Sequence, residues 1–259
     1  MVIWTVANQK GGVGKTTTAV SLAGLLAERG HRVLLVDTDP HASLTYYFGI
    51  DAEDLEVSVY DIFIRGNEAT AEQILQSLCP SGVKNLDILP SSMALSTLDR
   101  SLGTRGGMGL MLKKALLKVE HEYDYVLIDC PPVMGVLMVN AIAACDRLVI
   151  PVQTEFLALK GLERMIATIK LMSTSQKKNY PYTIVATMYD KRTKASLEAY
   201  KELKQTYQDK VWSAVVPIDT KFRDASLANT PPNVHAPSSR GVFAYNTLLT
   251  YLLQLTPEY

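Results

Sequence analysis

The segment Asn8–Thr18, NQKGGVGKTTT, contains the residue types that bind the phosphates of a nucleotide. Phosphate-binding loops follow the pattern G-x-x-x-x-G-K-[ST], and Gly14–Thr16 supplies its last three residues. The first glycine of the pattern would fall at position 9, where this chain has Gln9, and an additional lysine, Lys10, follows it. The segment therefore predicts a phosphate-binding loop of an unusual kind.

Each residue type in this loop has a chemical role. Glycines let the backbone pass close to phosphate oxygens, and the unpaired N–H groups at the start of the following helix bind an anion. Lys15 would reach the β- and γ-phosphates, and the Thr16 hydroxyl would ligate Mg²⁺. The alternative is a glycine-rich turn without a ligand. The residues expected at the nucleotide are Gly11, Gly12, Val13, Gly14, Lys15, Thr16 and Thr17.

Apolar runs that end in carboxylates occur at two other places. Val33–Ser43, VLLVDTDPHAS, contains Asp37 and Asp39, and Tyr125–Pro132, YVLIDCPP, contains Asp129. Carboxylates at the carboxyl end of a parallel strand lie on the side of the sheet where ligands bind. Asp129 matches the Walker B carboxylate, which supports magnesium in P-loop ATPases. Turn and helix-cap roles are the alternative for Asp37 and Asp39.

The elements that must position these residues are strands that alternate with helices. A helix is expected from about 15 to 29, directly after the loop, with Gly30 at its end. The alternation predicts an α/β fold with a mostly parallel twisted sheet and helices on both faces, and the phosphate-binding loop makes it one of the P-loop NTPase type. The predicted strands are Val2–Ala7, Arg32–Asp37, Leu86–Leu89, Tyr125–Asp129, Arg147–Val152, Tyr182–Met188 and Val211–Val216. The other predicted helices are Gly107–Glu122, Leu157–Ser173 and Ser196–Tyr207.

Composition indicates a folded protein with a substantial core, because 47% of the 259 residues are hydrophobic and 20% are charged. Lys+Arg and Asp+Glu both number 26, so the global charge gives no argument for nucleic acid. No linker rich in Pro, Gly or Ser divides the chain, and we expect one domain over 1–259 with surface loops at 48–55 and 229–240. Sparse cysteines, no apolar run of about 18 residues and no signal-peptide pattern predict a cytoplasmic protein.

The motif K-G-G-V-G-K-T resembles the deviant Walker A motif of the ParA/MinD ATPase superfamily, and the resemblance extends from Val2 to about Leu253. It implies slow hydrolysis of Mg²⁺-ATP by a homodimer that encloses two nucleotides. In that superfamily the early lysine, here Lys10, reaches the nucleotide of the other subunit, where it would offset the charge of the transition state. The alternative for Lys10 is an ordinary solvated lysine.

The resemblance also assigns roles to the segment after the second strand. Asp39 would orient the attacking water, and Asp37 would lie near the magnesium shell. The chain departs from the D-x-D-P-Q pattern of the superfamily at His41, where glutamine is usual. It departs again at Ser43, where asparagine is common. These departures put the contacts of this region with the partner and the nucleotide in question.

Two later segments resemble those that flank adenine in ParA proteins. They are Thr187–Thr193, TMYDKRT, and Val216–Ser226, VPIDTKFRDAS. Met188 and Pro217 would border the base, largely through backbone contacts. The alternative is a strand end and a loop that leads into a helix.

A dimer that forms with ATP and separates after hydrolysis acts as a switch. The first use of such a switch in the superfamily is the segregation of plasmids, chromosomes or large protein complexes. The short segment before the loop leaves no room for the helix-turn-helix domain that some plasmid relatives have. Small ParA forms bind DNA without sequence preference through basic residues, but Ile218-Asp219 stands where chromosomal relatives carry Arg-Asn. A solvated basic face is the alternative. The candidate DNA-binding residues are Lys191, Arg192, Lys194, Lys221 and Arg223.

Four stretches resemble a narrower subgroup, the ParA-like proteins encoded with chemotaxis genes and called ParC. That resemblance implies positioning of chemoreceptor arrays at the cell pole through protein partners that recruit the switch or stimulate hydrolysis. The stretches are Asp37–Thr45, Ser91–Arg100, Pro151–Met165 and Ser239–Leu249.

Two other uses of the fold are disfavoured. Membrane positioning of the MinD type needs a basic amphipathic helix, and the final segment Phe243–Tyr259 has no Lys or Arg. We expect it to pack on the core, with no direct membrane insertion. A metabolic ligase of the same fold, such as dethiobiotin synthetase, needs a pocket for an organic substrate, and no motif indicates one.

Overall fold

The structure is a computed structural model that describes the backbone of residues 1–102 and 108–256 and the side chains of 1–98 and 109–256. The strands are β1 (Val2–Val6), β2 (Val33–Asp37), β3 (Cys79–Pro80), β4 (Leu86–Leu89), β5 (Tyr125–Asp129), β6 (Arg147–Gln153) and β7 (Tyr182–Thr187). The helices are α1 (Lys15–Glu28), α2 (Ser43–Tyr47), α3 (Val59–Arg65), α4 (Ala71–Gln76), α5 (Leu95–Leu102), α6 (Met111–Leu117), α7 (Val136–Ala144), α8 (Phe156–Gln176), α9 (Lys194–Tyr207), α10 (Lys221–Leu227), α11 (Pro232–His235) and α12 (Arg240–Gln254).

The seven strands form one sheet in the order β3-β4-β2-β5-β1-β6-β7. All neighbouring strands are parallel except β3, which pairs antiparallel with β4. The carboxyl ends of β1, β2 and β5 therefore meet at one edge of the sheet. This edge is where ligands bind in open α/β sheets.

Both faces of the sheet are covered, so the central strands are apolar throughout rather than alternating. In β2, Val33 and Leu35 pack on one face, while Leu34 and Val36 pack on the other. The first face is covered by α1, α2 and α12, and most other long helices cover the second. Among the described residues, no helix has both the length and the hydropathy needed to cross a bilayer.

The predicted fold class is confirmed: the sheet is mostly parallel and the helices lie on both faces. Six of the predicted strands are present, with bounds that differ by one residue or less. The first residue of the helix predicted at 107–122 lies outside the described residues. The rest of that range contains a 3₁₀ turn at Met108–Leu110 and the helix α6, which ends earlier than predicted. The loop predicted at 229–240 contains the short helix α11. One domain over 1–259 stays a prediction.

The strand predicted at Val211–Val216 is wrong. The Trp212 N–H donates to the Ile184 carbonyl at 2.9 Å, and the Val216 N–H donates to the Ala186 carbonyl at 2.8 Å. The two donors are four positions apart in this segment, whereas their acceptors are two positions apart in β7. The chain bends at Ser213 and Ala214, and Val211 forms an isolated bridge with Ile184 in place of a strand ladder.

Candidate nucleotide-binding site

Strand pairing brings the phosphate-binding loop and two carboxylates together. Asp129 at the end of β5 is the parallel pairing partner of Val6 in β1 and of Asp37 in β2. The loop leaves β1 one residue after Val6 and ends at Lys15, where α1 begins. The sheet register therefore fixes where the predicted site residues lie relative to one another.

The loop is anchored to the two strands on its other side. The Asn8 side-chain amide donates to the Pro151 carbonyl in β6 at 2.8 Å, and the Thr187 hydroxyl of β7 donates to the Val13 carbonyl at 2.9 Å. Gly14 has a φ of 86° at the start of α1, a left-handed conformation that strongly favours glycine. The predicted loop is thus held between β6 and β7 and turns into α1 at Gly14, while its nucleotide contacts stay predictions.

Lys15 is buried inside the curve of the loop. Its ammonium group donates to the Lys10 carbonyl at 3.1 Å, and the residue is only 8% exposed. Burial lowers the pKa of Lys15, while the nearby carboxylates of Asp129 and Asp39 act in the opposite direction. A phosphate placed in the loop would supply the negative charge that this desolvated ammonium favours.

Thr16 and Asp129 form a hydroxyl–carboxylate pair suited to magnesium. The Thr16 hydroxyl donates to Asp129 Oδ2 at 2.6 Å. Oδ1 of Asp129 is buried and has no hydrogen-bond partner among the described residues. Burial, together with the charge of Asp37, raises the pKa of Asp129 to about 8. A buried carboxylate oxygen without a partner next to a hydroxyl fits Mg²⁺, which prefers oxygen ligands and retains waters and phosphate oxygens in its shell.

Asp37 lies at the centre of a buried network. Its Oδ2 accepts hydrogen bonds from the Thr45 N–H at 2.9 Å and the Thr45 hydroxyl at 2.7 Å, and its Oδ1 accepts from the Asp39 N–H at 3.0 Å. Burial raises the pKa of Asp37 to about 6. The Thr45 hydroxyl also accepts from the Ser91 N–H, and the Ser91 hydroxyl donates to the Asp39 carbonyl. The metal role of Asp37 stays a prediction, while its hydrogen bonds show how it shapes the turn that holds Asp39.

Asp39 lines the same cavity as the loop. This cavity has a volume of about 470 Å³, and its lining includes Gly12, Lys15, Thr16 and Asp39. His41 and Ser43, the two departures from the ParA pattern, also line it. The sequence prediction that Asp39 is adjacent to the phosphates is consistent with this placement. Its catalytic role stays a prediction.

Lys10 is paired within its own chain. Its ammonium group forms an ion pair with Glu155, the residue before α8, and the side chains are 27% and 40% exposed respectively. The Lys10 N–H donates to the Asn8 side-chain oxygen at 3.1 Å. Sequence analysis did not find Glu155, since no short-range pattern links residues 145 positions apart. The role of Lys10 across a dimer interface stays a prediction.

A second cavity adjoins the phosphate cavity and contains both residues predicted at the base. It has a volume of about 350 Å³, and Gly14, Thr17 and Met188 line both cavities. Met188 and Pro217 line the second cavity. Six of its other lining residues lie within the two segments that resemble those flanking adenine: Thr187, Val216, Ile218, Asp219, Phe222 and Arg223. Gln153 in β6 and Tyr245 in α12 lie outside those segments, and sequence analysis missed them because both are distant from them along the chain.

The predicted basic face is largely paired with carboxylates. Arg192 pairs with Asp190 at 2.7 Å, Lys194 with Glu198 at 3.5 Å, and Lys221 with Asp224 at 2.8 Å. Exposed ion pairs of this kind contribute little stability and are screened by salt, so phosphates could compete for the cations. Among the described residues, Lys191 and Arg223 form no ion pair.

The fold and the loop define a P-loop nucleotide-binding protein, and comparisons give the family. A family model described as an AAA domain matches residues 1–181. The sporulation initiation inhibitor protein Soj of Bacillus subtilis (strain 168) is 38% identical over 241 residues, which cover 93% of each chain. The chromosome partitioning protein ParA of Caulobacter vibrioides (strain NA1000 / CB15N) is 35% identical over 243 residues, which cover 93% of this chain and 89% of the relative. The chain belongs to the ParA/Soj family of P-loop ATPases.

A solved structure gives the same family-level picture of the ligands. Cobyrinic acid a,c-diamide synthase from Mycobacterium smegmatis with bound ATP analog and magnesium matches with a TM-score of 0.82 and 31% identity. The match covers 98% of this chain and 95% of that chain. The resemblance to the ParA superfamily is thus confirmed, and ATP with Mg²⁺ is confirmed as the cofactor pair at the level of the family. None of the relatives named here is a chemotaxis protein.

Proposed function

We propose that this chain is an ATP-dependent dimerising switch that positions or segregates a cellular cargo. The observation that supports it best is that Lys15, Thr16 and Asp39 line one cavity, with Asp129 hydrogen-bonded to Thr16 behind it. Lys15 and the loop N–H groups bind the β- and γ-phosphates, and Thr17 contacts the α-phosphate. Met188 and Pro217 border the base in the adjoining cavity.

Hydrolysis in this proposal needs only ATP and water. The water oxygen bonds to the γ-phosphorus, the bond from that phosphorus to the β–γ bridging oxygen breaks, and ADP and phosphate leave. Asp39 orients the water, and Lys15 offsets the charge that grows on the departing phosphate oxygens. Magnesium, when bound at Thr16 and Asp129, neutralises the charge of the phosphate oxygens. Without a partner the reaction is slow, and a protein partner stimulates it.

Dimerisation uses the early lysine. Lys10 exchanges Glu155 for the nucleotide of a second copy, so each site is complete only in the dimer. Exposed apolar side chains lie near this face: Val133 and Met134 follow the Asp129 segment, while Phe156 and Leu157 follow Glu155. A second copy placed over the phosphate loop would cover part of this apolar surface.

The cargo that the family comparison favours is a chromosome or plasmid, because the named relatives are a chromosome partitioning ParA and Soj. In that case the dimer binds DNA without sequence preference, and Lys191 and Arg223, which form no ion pair within the described residues, contact its phosphates. The second candidate is a chemosensory array recruited to the pole by a protein partner. The four ParC-like stretches, and the pairing of Arg192, Lys194 and Lys221 with carboxylates, favour it. Both candidates place the switch in the cytoplasm.

Light scattering tests the switch directly. The molar mass of wild type and Asp39→Ala would be measured with ATP, with ADP and without nucleotide, each with Mg²⁺. We expect a dimer only with ATP, and a longer-lived dimer for Asp39→Ala because it does not hydrolyse the nucleotide. Monomers under every condition would overturn the dimerising switch.

Retention of the same samples on non-specific duplex DNA separates the two cargoes. Retention of the ATP dimer that falls steeply between 50 and 200 mM salt, as expected for roughly 6–10 phosphate contacts, favours chromosome or plasmid partition. An ATP dimer without retention favours recruitment by a protein. ATP-dependent formation of a new product from an organic acid and ammonia would instead indicate a ligase of this fold.

A further inference from the structure

The turn after β2 places a histidine against the aspartate that we propose orients the water. The Ala42 N–H donates to the Asp39 carbonyl at 2.8 Å, and Pro40 occupies the second position of the turn, where its fixed φ is favourable. Asp39 Oδ1 accepts the His41 N–H at 3.0 Å and also lies 3.0 Å from His41 Nδ1. His41 therefore contacts Oδ1 of Asp39 through both its backbone N–H and its imidazole Nδ1.

The chemistry of the two groups determines the direction of the second hydrogen bond. An ionised carboxylate only accepts, so Nδ1 must carry the proton, whether the imidazole is neutral or charged. The His41 side chain is 80% exposed, which leaves Nε2 to solvent. Within the described part of the chain, no hydrogen bond reaches Oδ2 of Asp39. Oδ2 is thus the oxygen that can accept a hydrogen bond from a water in the phosphate cavity.

The main chain of Asp39 is already fixed from the buried side. Its N–H donates to Asp37 Oδ1, and its carbonyl accepts the Ser91 hydroxyl at 2.6 Å. Rotation of the Asp39 side chain about its two χ angles is restrained by one backbone hydrogen bond, from the His41 N–H to Oδ1. The Nδ1–H of His41 adds a second restraint on that rotation, because turning the carboxylate would break both hydrogen bonds to Oδ1.

We propose that His41 is a positioning residue for hydrolysis, which holds the Asp39 carboxylate so that Oδ2 faces the attacking water. This inference rests on the proposed ATPase function. Nδ1 of histidine stands as many bonds from Cα as the amide nitrogen of asparagine, whereas the amide nitrogen of glutamine stands one bond further out. The length of the histidine side chain thus places Nδ1 within hydrogen-bond distance of the Asp39 carboxylate, two residues earlier in a tight turn.

Three substitutions of His41 distinguish the effect of losing its hydrogen-bond donor from the effect of losing its imidazole ring. Steady-state ATP hydrolysis would be measured for wild type, His41→Ala, His41→Asn and His41→Gln. We expect His41→Ala to lower kcat about fivefold, the value of one partly exposed hydrogen bond, with KM for ATP changed less than twofold. His41→Asn should return kcat to within about twofold of wild type, and His41→Gln should not, since its donor lies too far out. His121→Ala is the matched control, because His121 is 92% exposed and does not line the cavity; wild-type kcat is expected.

A spectroscopic readout does not depend on turnover. Long-range ¹H–¹⁵N NMR correlations of the His41 ring report which nitrogen carries the proton. We expect a protonated Nδ1 in the wild type and a shift toward Nε2 protonation in Asp39→Ala, with the other histidines unchanged. This comparison also shows whether the variant is folded.

The outcomes distinguish the inference from the function on which it rests. A wild-type protein without ATP turnover would overturn the proposed function and this inference with it. Turnover in the wild type with an equal kcat in His41→Ala, or with no recovery in His41→Asn, would overturn the inference alone. Ring nitrogens that do not respond to Asp39→Ala would also overturn it.

Discussion

Two regions flank the phosphate-binding loop, and they hold their functional residues in opposite ways. On the β2 side, Asp37, Thr45, Ser91 and Asp39 form a buried hydrogen-bond network in which Asp37 alone accepts three hydrogen bonds. On the β6 side, the Lys10 ammonium is held by one partly exposed ion pair. A buried network keeps one geometry, because any rearrangement leaves polar groups unpaired. A single surface pair can be exchanged at little cost, which suits a lysine that must reach another chain.

The largest effect on function should come from Lys10 on the β6 side, whose ion pair can be exchanged. Lys10→Ala removes the charge that we propose completes the partner's site, so we expect no ATP dimer at protein concentrations where the wild type is dimeric. Stability should change by less than about 0.5 kcal/mol, because only a partly exposed pair is lost. Light scattering and urea unfolding measure the two quantities. An ATP dimer of normal affinity would make Lys10 an ordinary surface lysine.

Removing the centre of the buried network should cost the most stability. Asp37→Ala leaves the Asp39 N–H and both donors of Thr45 without their acceptor in a fully buried site. We expect a loss of about 3 kcal/mol in the free energy of unfolding and no ATP hydrolysis. Asp51→Ala is the control, because Asp51 is exposed and accepts one local N–H; a change below about 0.5 kcal/mol is expected. A loss below about 1 kcal/mol for Asp37→Ala would show that water replaces the carboxylate.

A subtler change removes one link of the network. Thr45→Val keeps the shape of the side chain but deletes the hydroxyl that donates to Asp37 and accepts from the Ser91 N–H. We expect a loss of about 1–2 kcal/mol in urea unfolding, with ATP binding retained. Thr247→Val is the control for the substitution itself, since among the described residues that hydroxyl bonds only to the Phe243 carbonyl within α12. Equal losses for the two variants would contradict a special role for Thr45.

The smallest effect should come from releasing Lys10. Glu155→Gln keeps the size of the side chain and removes its charge, which weakens the pair inside the chain. We expect the ATP dimer to form at roughly two- to threefold lower protein concentration, because an exposed pair contributes about 0.5 kcal/mol. Glu163→Gln, which breaks the exposed Lys160–Glu163 pair on α8, is the matched control and should leave dimerisation unchanged. Weaker dimerisation in Glu155→Gln would show that Glu155 has a role in the dimer itself.

Sequence analysis succeeded where local pattern determines structure. The loop, the helix after it and the apolar strands that end in Asp37 and Asp129 follow from residue types within a few positions. It failed at Val211–Val216, where Val211, Trp212 and Val216 are buried but the segment bonds to β7 only at separate points. Buried apolar residues occur both in strands and in such segments, so residue types alone do not distinguish the two.

Contacts between distant segments were also beyond sequence analysis. Ser91 meets Asp39 across 52 residues, and Glu155 meets Lys10 across 145. These contacts depend on the order of the strands, since β4 lies beside β2 and β6 beside β1. A single sequence without that order does not specify which loops are neighbours.

The pairing of Asp37 with Asp129 makes chain length, rather than composition, the strictest constraint on the two strands. Substitutions among Val, Ile and Leu in β2 or β5 exchange one apolar side chain for another of similar volume, and cores tolerate such changes. One inserted or deleted residue would move every following side chain to the opposite face and take Asp37 or Asp129 away from its hydrogen-bond partners beside the cavity. Homologous chains should therefore exchange apolar residues in β2 and β5, while the number of residues in each strand stays constant.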